Sequence, residues 1–178
     1  LNTIITEFLD YARPRSNQGE QISLDSLLEE TITLFRNSRE FQSDIIIICD
    51  IPSAIAVTGD PQRLRQVFWN LLINAAQAIH GKGTITISAA SGAGMNADEV
   101  IIRMLDTGMG IASEHLDHIF DPFFTTKPAG TGLGLAIVYR IIEDHNGTID
   151  VKSVVGKGTS VVINLPYIER RVETRQNA

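Results

Sequence analysis

Cysteine is nearly absent. The only one in 178 residues, Cys49, excludes an internal disulfide, and its apolar neighbours suggest a buried strand in a protein of a reducing compartment. Long apolar runs are missing too: none approaches the roughly 18 residues of a membrane span, and no signal-peptide pattern opens the chain. Basic charge is in deficit, 15 Lys and Arg against 21 Asp and Glu for a net −6, which argues against a nucleic-acid surface. An anionic ligand would have to rely on helix N-termini and a few lysines. The four histidines, His80, His115, His118 and His145, lie at or near expected helix ends without metal-ligand spacing, as surface or capping residues do. What is present, 43% hydrophobic and 20% charged residues, describes one soluble globular domain with a real core plus ends. The chain opens at Leu1 without methionine, so it is expected to be an excised fragment.

Residues 1–12 place Leu1, Ile4, Ile5, Phe8, Leu9 and Ala12 at helical spacing, the expected end of a longer amphipathic helix. A breaker cluster at 13–19 marks a boundary. A second helix is expected from Ser23, as its cap, to about residue 39. Strands follow over 44–51, stopped by Pro52, and over 55–58. Asp60-Pro61 supplies a cap and a first-turn proline for a helix running to about His80. Strands are expected over 84–89 and 99–105, joined by a hairpin loop of small residues at 91–97. A helix over 132–145, ended by Asn146-Gly147, precedes a hairpin of 148–154 and 159–165 that turns at 156–158. The polar tail after Tyr167 is expected to fray. Because strand pairs are hairpin-linked, the fold class is α+β: a two-layer α/β sandwich in which helices cover one face of a mixed sheet.

In the helix beginning at Pro61, residues Arg63, Gln66, Asn70, Asn74 and Gln77 fall in one arc of about 80°. Much of the remaining circumference is apolar, from Leu64, Val67, Phe68 and Trp69 to Ala78 and Ile79. A helix so apolar must be largely buried, and its polar seam must face something specific. Uncharged amides supply neutral oxygens and N–H donors, which suit a hydrated Mg²⁺ beside phosphates. Arg63 either reaches those phosphates or is solvated. Asp106 ends an apolar strand, where its carboxylate could accept a hydrogen bond from an exocyclic amine. Gly108 and Gly110 after it permit a sharp turn and close approach to a flat ligand. Asp-Thr-Gly is also the triplet of aspartic proteases, but that chemistry needs two carboxylates and this chain has one copy. The loop from Phe120 to Leu135 brings glycines to a helix start, so free N–H groups and the positive dipole end form a phosphate cradle. Lys127 adds charge there, and the Gly/Pro content suits a mobile lid. Phe123 and Phe124 are expected to tuck into the core. Neither a Walker loop nor a dinucleotide fingerprint is present. Thr159, at the last strand's start, either joins Asp106 or is an ordinary β-branched residue.

Five segments, NLLINA (70–75), DTGMGI (106–111), FDPFFTTK (120–127), GTGLGLAI (130–137) and GKGTSVVINLP (156–166), occur in this order. In order and spacing they resemble the asparagine box, first glycine box, phenylalanine box, second glycine box and final glycine box of sensor histidine kinases. That family belongs to the wider GHKL group with gyrase B, Hsp90 and MutL. The resemblance implies a Bergerat-type ATP-binding fold in 15–166, with 1–14 as the second helix of a dimerisation domain and 167–178 as a tail. It implies ATP and Mg²⁺ as cofactors. Asn74 would coordinate the metal, with Asn70 supporting the metal–phosphate site and Gln77 beside it. Asp106 would bind the adenine amino group, with Gly108, Gly110 and Ile111 shaping the base pocket and Thr159 near the base. Lys127 and the backbone of Gly130, Thr131, Gly132, Leu133, Gly134 and Leu135 would form the lid over the triphosphate. Asn70, Asn74 and Lys127 would carry catalysis.

Related ATP hydrolases carry glutamate where Asn70 stands. An amide cannot take a proton from water at neutral pH, so transfer to histidine is favoured over hydrolysis. The implied function is transfer of the ATP γ-phosphoryl group to a histidine on the protein's own dimerisation domain, for relay to the receiver domain of a response regulator. That acceptor, a His followed by an acidic residue, is not in this sequence. The alternatives are a GHKL-type ATPase and a non-catalytic ATP-gated binding module. No nucleic-acid partner is expected. The full-length protein is expected to be a cytoplasmic homodimer, or the cytoplasmic part of a membrane-anchored sensor, and the fragment a monomer.

Overall fold

Ser23 closes the short strand β1 (Glu20–Ser23) and stands at the cap of helix α1 (Leu24–Arg36). Its hydroxyl goes to the Asp25 carboxylate rather than to a backbone N–H. The computed structural model describes residues 19–92, 98–128 and 130–169. The expected helical stub at 1–14, most of the 91–97 hairpin loop and the tail from 170 lie outside the described residues. Helix α1 stops at Arg36, three residues before its expected end, where the Asn37 and Ser38 N–H groups turn back to Leu34 and Phe35.

Strands β2 (Ile45–Asp50) and β3 (Ile55–Gly59) lead to helix α2 (Pro61–Ala78). Asp60 caps α2 in full, its carboxylate accepting the N–H groups of Gln62 at 2.9 Å and Arg63 at 3.2 Å. Pro61 sits in the first turn, where its missing donor costs nothing. Strands β4 (Gly83–Ser91) and β5 (Glu99–Asp106), the one-turn helix α3 (Ser113–Leu116), helix α4 (Gly134–Asp144), β6 (Thr148–Val154) and β7 (Gly158–Glu169) complete the chain. The sheet runs β1-β3-β7-β5-β4-β2, with β6 also paired to β7. Among the described residues only β2 and β4 pair in parallel, so the sheet is mixed, as expected. One face alternates Ile85, Ile87, Val100, Ile102, Met104 and Ile163 into the core under the helices. The other carries exposed Ile46, Ile48 and Leu105.

Helix α2 lies between α1 and α4 on that covered face, with eight buried residues from Arg63 to Ala76. Its Trp69 meets Phe35 of α1 edge-on at 5.7 Å.

Three expectations are corrected, and one is met in an unexpected place. Cys49 is exposed, because β2 is an edge strand and burial by alternation stops at Ile47. Partial burial and the nearby Glu29 and Asp50 carboxylates push its thiol pKa up, so it is a poor thiolate. His145 caps the end of α4, as expected of a capping residue, but does so buried: its Nε2 accepts the Asp60 N–H at 3.0 Å while Nδ1 faces the Ile141 carbonyl at 2.7 Å. That pattern fixes a neutral ring with the proton on Nδ1. Strand β7 continues through Glu169, because residues 167–169 pair with β3. Neither Phe123 nor Phe124 belongs to the buried core: Phe123 is 62% exposed, and Phe124 lies against the rings of His115 and His118.

Replacing Asp60 by alanine strips two first-turn N–H groups of their acceptor. A loss of about 1 kcal/mol in urea unfolding is expected, whereas an unchanged midpoint would show that the cap is dispensable.

Candidate functional site

Asp106 is the last residue of β5 and is buried. Its Oδ1 accepts the Gly108 N–H at 2.8 Å and the Thr159 N–H at 3.3 Å. Oδ2 has no partner among the described residues. Burial raises the pKa above the ordinary carboxylate value, while the two backbone donors pull against it. No second carboxylate contacts Asp106 among the described residues, so a shared-proton aspartyl pair is absent there. The result is a buried acceptor with one oxygen spent on the protein and one left over.

The loop after Asp106 is pinned at each step. Thr107 exchanges hydrogen bonds with Thr84, and the Met109 N–H donates to the Ala78 carbonyl at the end of α2. A Cβ on Gly108 would come within 2.7 Å of the Ala78 Cβ, and one on Gly110, at φ +72°, would strike the Val154 carbonyl. These two glycines therefore serve close packing of protein against protein, whatever else approaches them. The Ile111 N–H donates to Ser153 Oγ at 2.8 Å.

The polar seam of α2 divides. Arg63 is neither solvated nor aimed at the loop; it is buried in an ion pair with Asp144 at 2.7 Å, clamping the end of α4. Asn70 donates from Nδ2 to the Gly134 carbonyl at 3.3 Å, at the start of α4. Asn74 Oδ1 and Gln77 Oε1 hold the Lys127 ammonium at 2.9 and 2.6 Å. Burial lowers the Lys127 pKa. Two amide oxygens on successive turns thus already accommodate a cation.

The loop carrying Lys127 folds on itself. Lys127 N–H reaches Thr125 Oγ1 at 3.1 Å, Gly130 N–H reaches the Lys127 carbonyl at 3.0 Å, and Phe123 N–H reaches the Gly132 carbonyl at 2.9 Å. Thr131 Oγ1 accepts the Leu133 N–H at 3.4 Å. Leu133 and Leu135 side chains pack on the core, so these two residues offer only backbone to a ligand. Helix α4 begins without a side-chain cap, which leaves its first-turn N–H groups and positive dipole end facing the loop.

The predicted residues therefore gather around the C-terminal half of α2: Lys127 on its side, Gly134 beside Asn70, and Gly108 against its last turn. Thr159, also buried, adjoins Asp106 through its N–H, and its Oγ1 lies 3.0 Å from Ser153 Oγ. Sequence reading missed Ser153. Its signal was there: counting back from the 156–158 turn pairs it with Thr159.

A model of the histidine kinase-, DNA gyrase B- and HSP90-like ATPases matches residues 59–169. The chain belongs to this family. Within it, the chain is 41% identical over 170 residues to the sensor histidine kinase ZraS of Escherichia coli (strain K12), covering 93% of this chain and 35% of ZraS. The chain spans about a third of the length of the first curated relatives it matches. Among solved structures, the catalytic domain of histidine kinase ThkA superposes with a TM-score of 0.73 at 31% identity, covering 84% of this chain and 95% of that one. Full-length ShkA, solved in complex with AMPPNP, gives 0.79 at 25% identity over 94% of this chain and 36% of that one. ThkA in complex with the response regulator TrrA gives 0.77 at 28% identity, over 94% and 47%. The fold is that of histidine kinase catalytic domains, with the mixed sheet and one helical layer expected.

A carboxyl held above its unfolded pKa favours the fold while neutral. That contribution is lost as pH rises from the ordinary carboxylate range through the raised value. Asp106→Asn should therefore raise the thermal midpoint of the ATPase-family domain near pH 7 and flatten its pH dependence above the carboxylate range. A lower midpoint than the parent at neutral pH would contradict the raised pKa.

Proposed function

We propose that this chain is the ATP-binding catalytic part of a cytoplasmic sensor histidine kinase that transfers the ATP γ-phosphoryl group to a histidine on its dimerisation domain. Residues 15–166 and the three that extend β7 would form that part, and 1–14 would belong to the dimerisation helices. The observation that carries the reading is the cation seat at Asn74 and Gln77, set between the open start of α4 and the leftover oxygen of Asp106. A nucleotide has the matching order of groups: a base with an amine, then phosphates with their metal.

In this reading Asp106 Oδ2 accepts from the adenine 6-amino group, while Gly108, Gly110, Ile111 and Thr159 bound the base. The amide oxygens fit Mg²⁺ because they already hold an ammonium, a cation in the same place. Asn74 would ligate the metal, with Asn70 and Gln77 beside it. The metal would neutralise charge on the transferring phosphoryl group. Lys127 and the N–H groups of residues 130–135 would orient the triphosphate, since phosphoryl transfer is governed by positioning and electrostatics. Asn70 has its Nδ2 engaged by Gly134, which leaves its amide oxygen, and an amide oxygen is no base for water. That favours transfer to histidine over hydrolysis. ShkA's complex with AMPPNP and ThkA's complex with TrrA support a nucleotide and a response-regulator receiver domain as ligands here.

Two measurements test this. Asn74→Ala should weaken binding of an ATP analogue at least about tenfold with Mg²⁺ present and leave it unchanged in EDTA; equal affinity in both conditions would remove the metal site. With γ-labelled ATP, label should pass to a supplied dimerisation domain carrying the acceptor histidine. Label on this chain alone, or steady release of phosphate without an acceptor, would contradict the reading.

A further inference from the structure

On the helix-facing side of the sheet, Asp106, Thr159 and Ser153 form one cross-strand row. Ser153 pairs with Thr159 across the β6–β7 hairpin, and β7 carries Thr159 to the position next to Asp106. Ser153 Oγ makes three contacts. It lies 2.9 Å from the Gly158 carbonyl, 2.8 Å from the Ile111 N–H and 3.0 Å from Thr159 Oγ1.

A serine hydroxyl has one proton and two lone pairs. The Gly158 carbonyl can only accept, and two oxygens 2.9 Å apart repel unless a proton lies between them, so the Ser153 proton goes there. The Ile111 N–H can only donate and takes one lone pair. The second lone pair is left for Thr159, whose own proton must then point at Ser153. Thr159 Oγ1 consequently has no proton for any other partner. On the far side of Thr159, Asp106 Oδ2 is also an acceptor without a partner among the described residues.

We infer that Ser153 is a specificity-determining positioning residue, which, by claiming the Thr159 proton, makes the base pocket accept hydrogen bonds only and so selects a 6-amino purine over a 6-oxo purine. This inference rests on the nucleotide reading above. A 6-amino group brings two N–H donors to two acceptors. A 6-oxo purine offers its N1–H to one acceptor at most and turns carbonyl lone pairs toward the other, leaving a buried group unmatched, which is how a polar site rejects a close analogue. Ser153 touches no part of the purine in this arrangement. It acts through the direction of another residue's proton.

The test compares ATP with inosine triphosphate, which carries a 6-oxo group and an N1–H in place of the 6-amino group and bare N1, by calorimetric titration of the whole chain. Ser153→Ala frees the Thr159 proton to turn toward a 6-oxo group, so the preference for ATP should fall about three- to tenfold, largely through tighter inosine triphosphate binding. Ser153→Thr keeps the hydroxyl and should keep the preference. In a Thr159→Val background, Ser153→Ala should change the preference no further, because the messenger is gone. Should Ser153→Ala not fold, Thr159→Val alone must still lower the preference. Equal weakening of both nucleotides by Ser153→Ala, or an effect of Ser153→Ala that persists beside Thr159→Val, overturns the inference. A preference left intact by Asp106→Asn overturns instead the nucleotide reading beneath it.

Discussion

Helix α2 is buried on so much of its circumference that every polar group on it must be matched inside the protein or by something the protein binds. The structure satisfies this constraint in stages along the helix. Asp60 takes the first-turn donors, Asp144 takes the Arg63 guanidinium, and the Gly134 carbonyl takes the Asn70 amide N–H. One turn further on, the amide oxygens of Asn74 and Gln77 are taken by a cation, the Lys127 ammonium. The same helix ends on the Ala78 carbonyl, which anchors the loop behind Asp106. One buried helix thus carries the architecture in its first half and the chemistry in its second.

Much of this was legible from sequence because it depends on periodicity and on local turn chemistry. The apolar circumference, the Asp60-Pro61 start, the strand delivering Asp106 and the two hairpins all follow from spacing within one element. What stayed hidden depends on which elements become neighbours. Arg63 shares an arc with Asn74, yet nothing local says that the end of α4 lies opposite one and the Lys127 loop opposite the other. Cys49 sits in an apolar run, but its exposure follows from β2 being the sheet's edge. His145 looked like an ordinary helix-end residue, and its burial requires knowing that the α2 cap stands beside it. The glycines of the Asp106 loop were read for their freedom near a ligand, while the neighbours they accommodate are Ala78 and Val154.

Asp106 shows what such a site costs. A carboxylate is placed where burial disfavours its charge, with two backbone donors as partial compensation. A fold selected for stability alone would place an amide or an apolar residue there. Retaining the acid is understandable if its unmatched oxygen is kept for a ligand, the familiar opposition between stability and activity. Lys127 sits under the opposite pressure, a surface ammonium whose partial desolvation lowers its pKa and whose charge is met by two neutral oxygens.

Strand β7 has a consequence for how the chain is made. Its last residues pair with β3, which in turn holds β1, so the earliest strands of the sheet are locked by the latest. Between them lie α2, the Asp106 loop and the whole of α4. During synthesis the first helix and hairpin elements can form early, but their sheet cannot close until Glu169 has emerged. Until then the apolar faces of β3 and α2 stand open to water and to neighbouring chains. The sheet is therefore complete only once residues 167–169 are in place, and a truncation before Tyr167 would forfeit the seam that joins the two ends of the sheet.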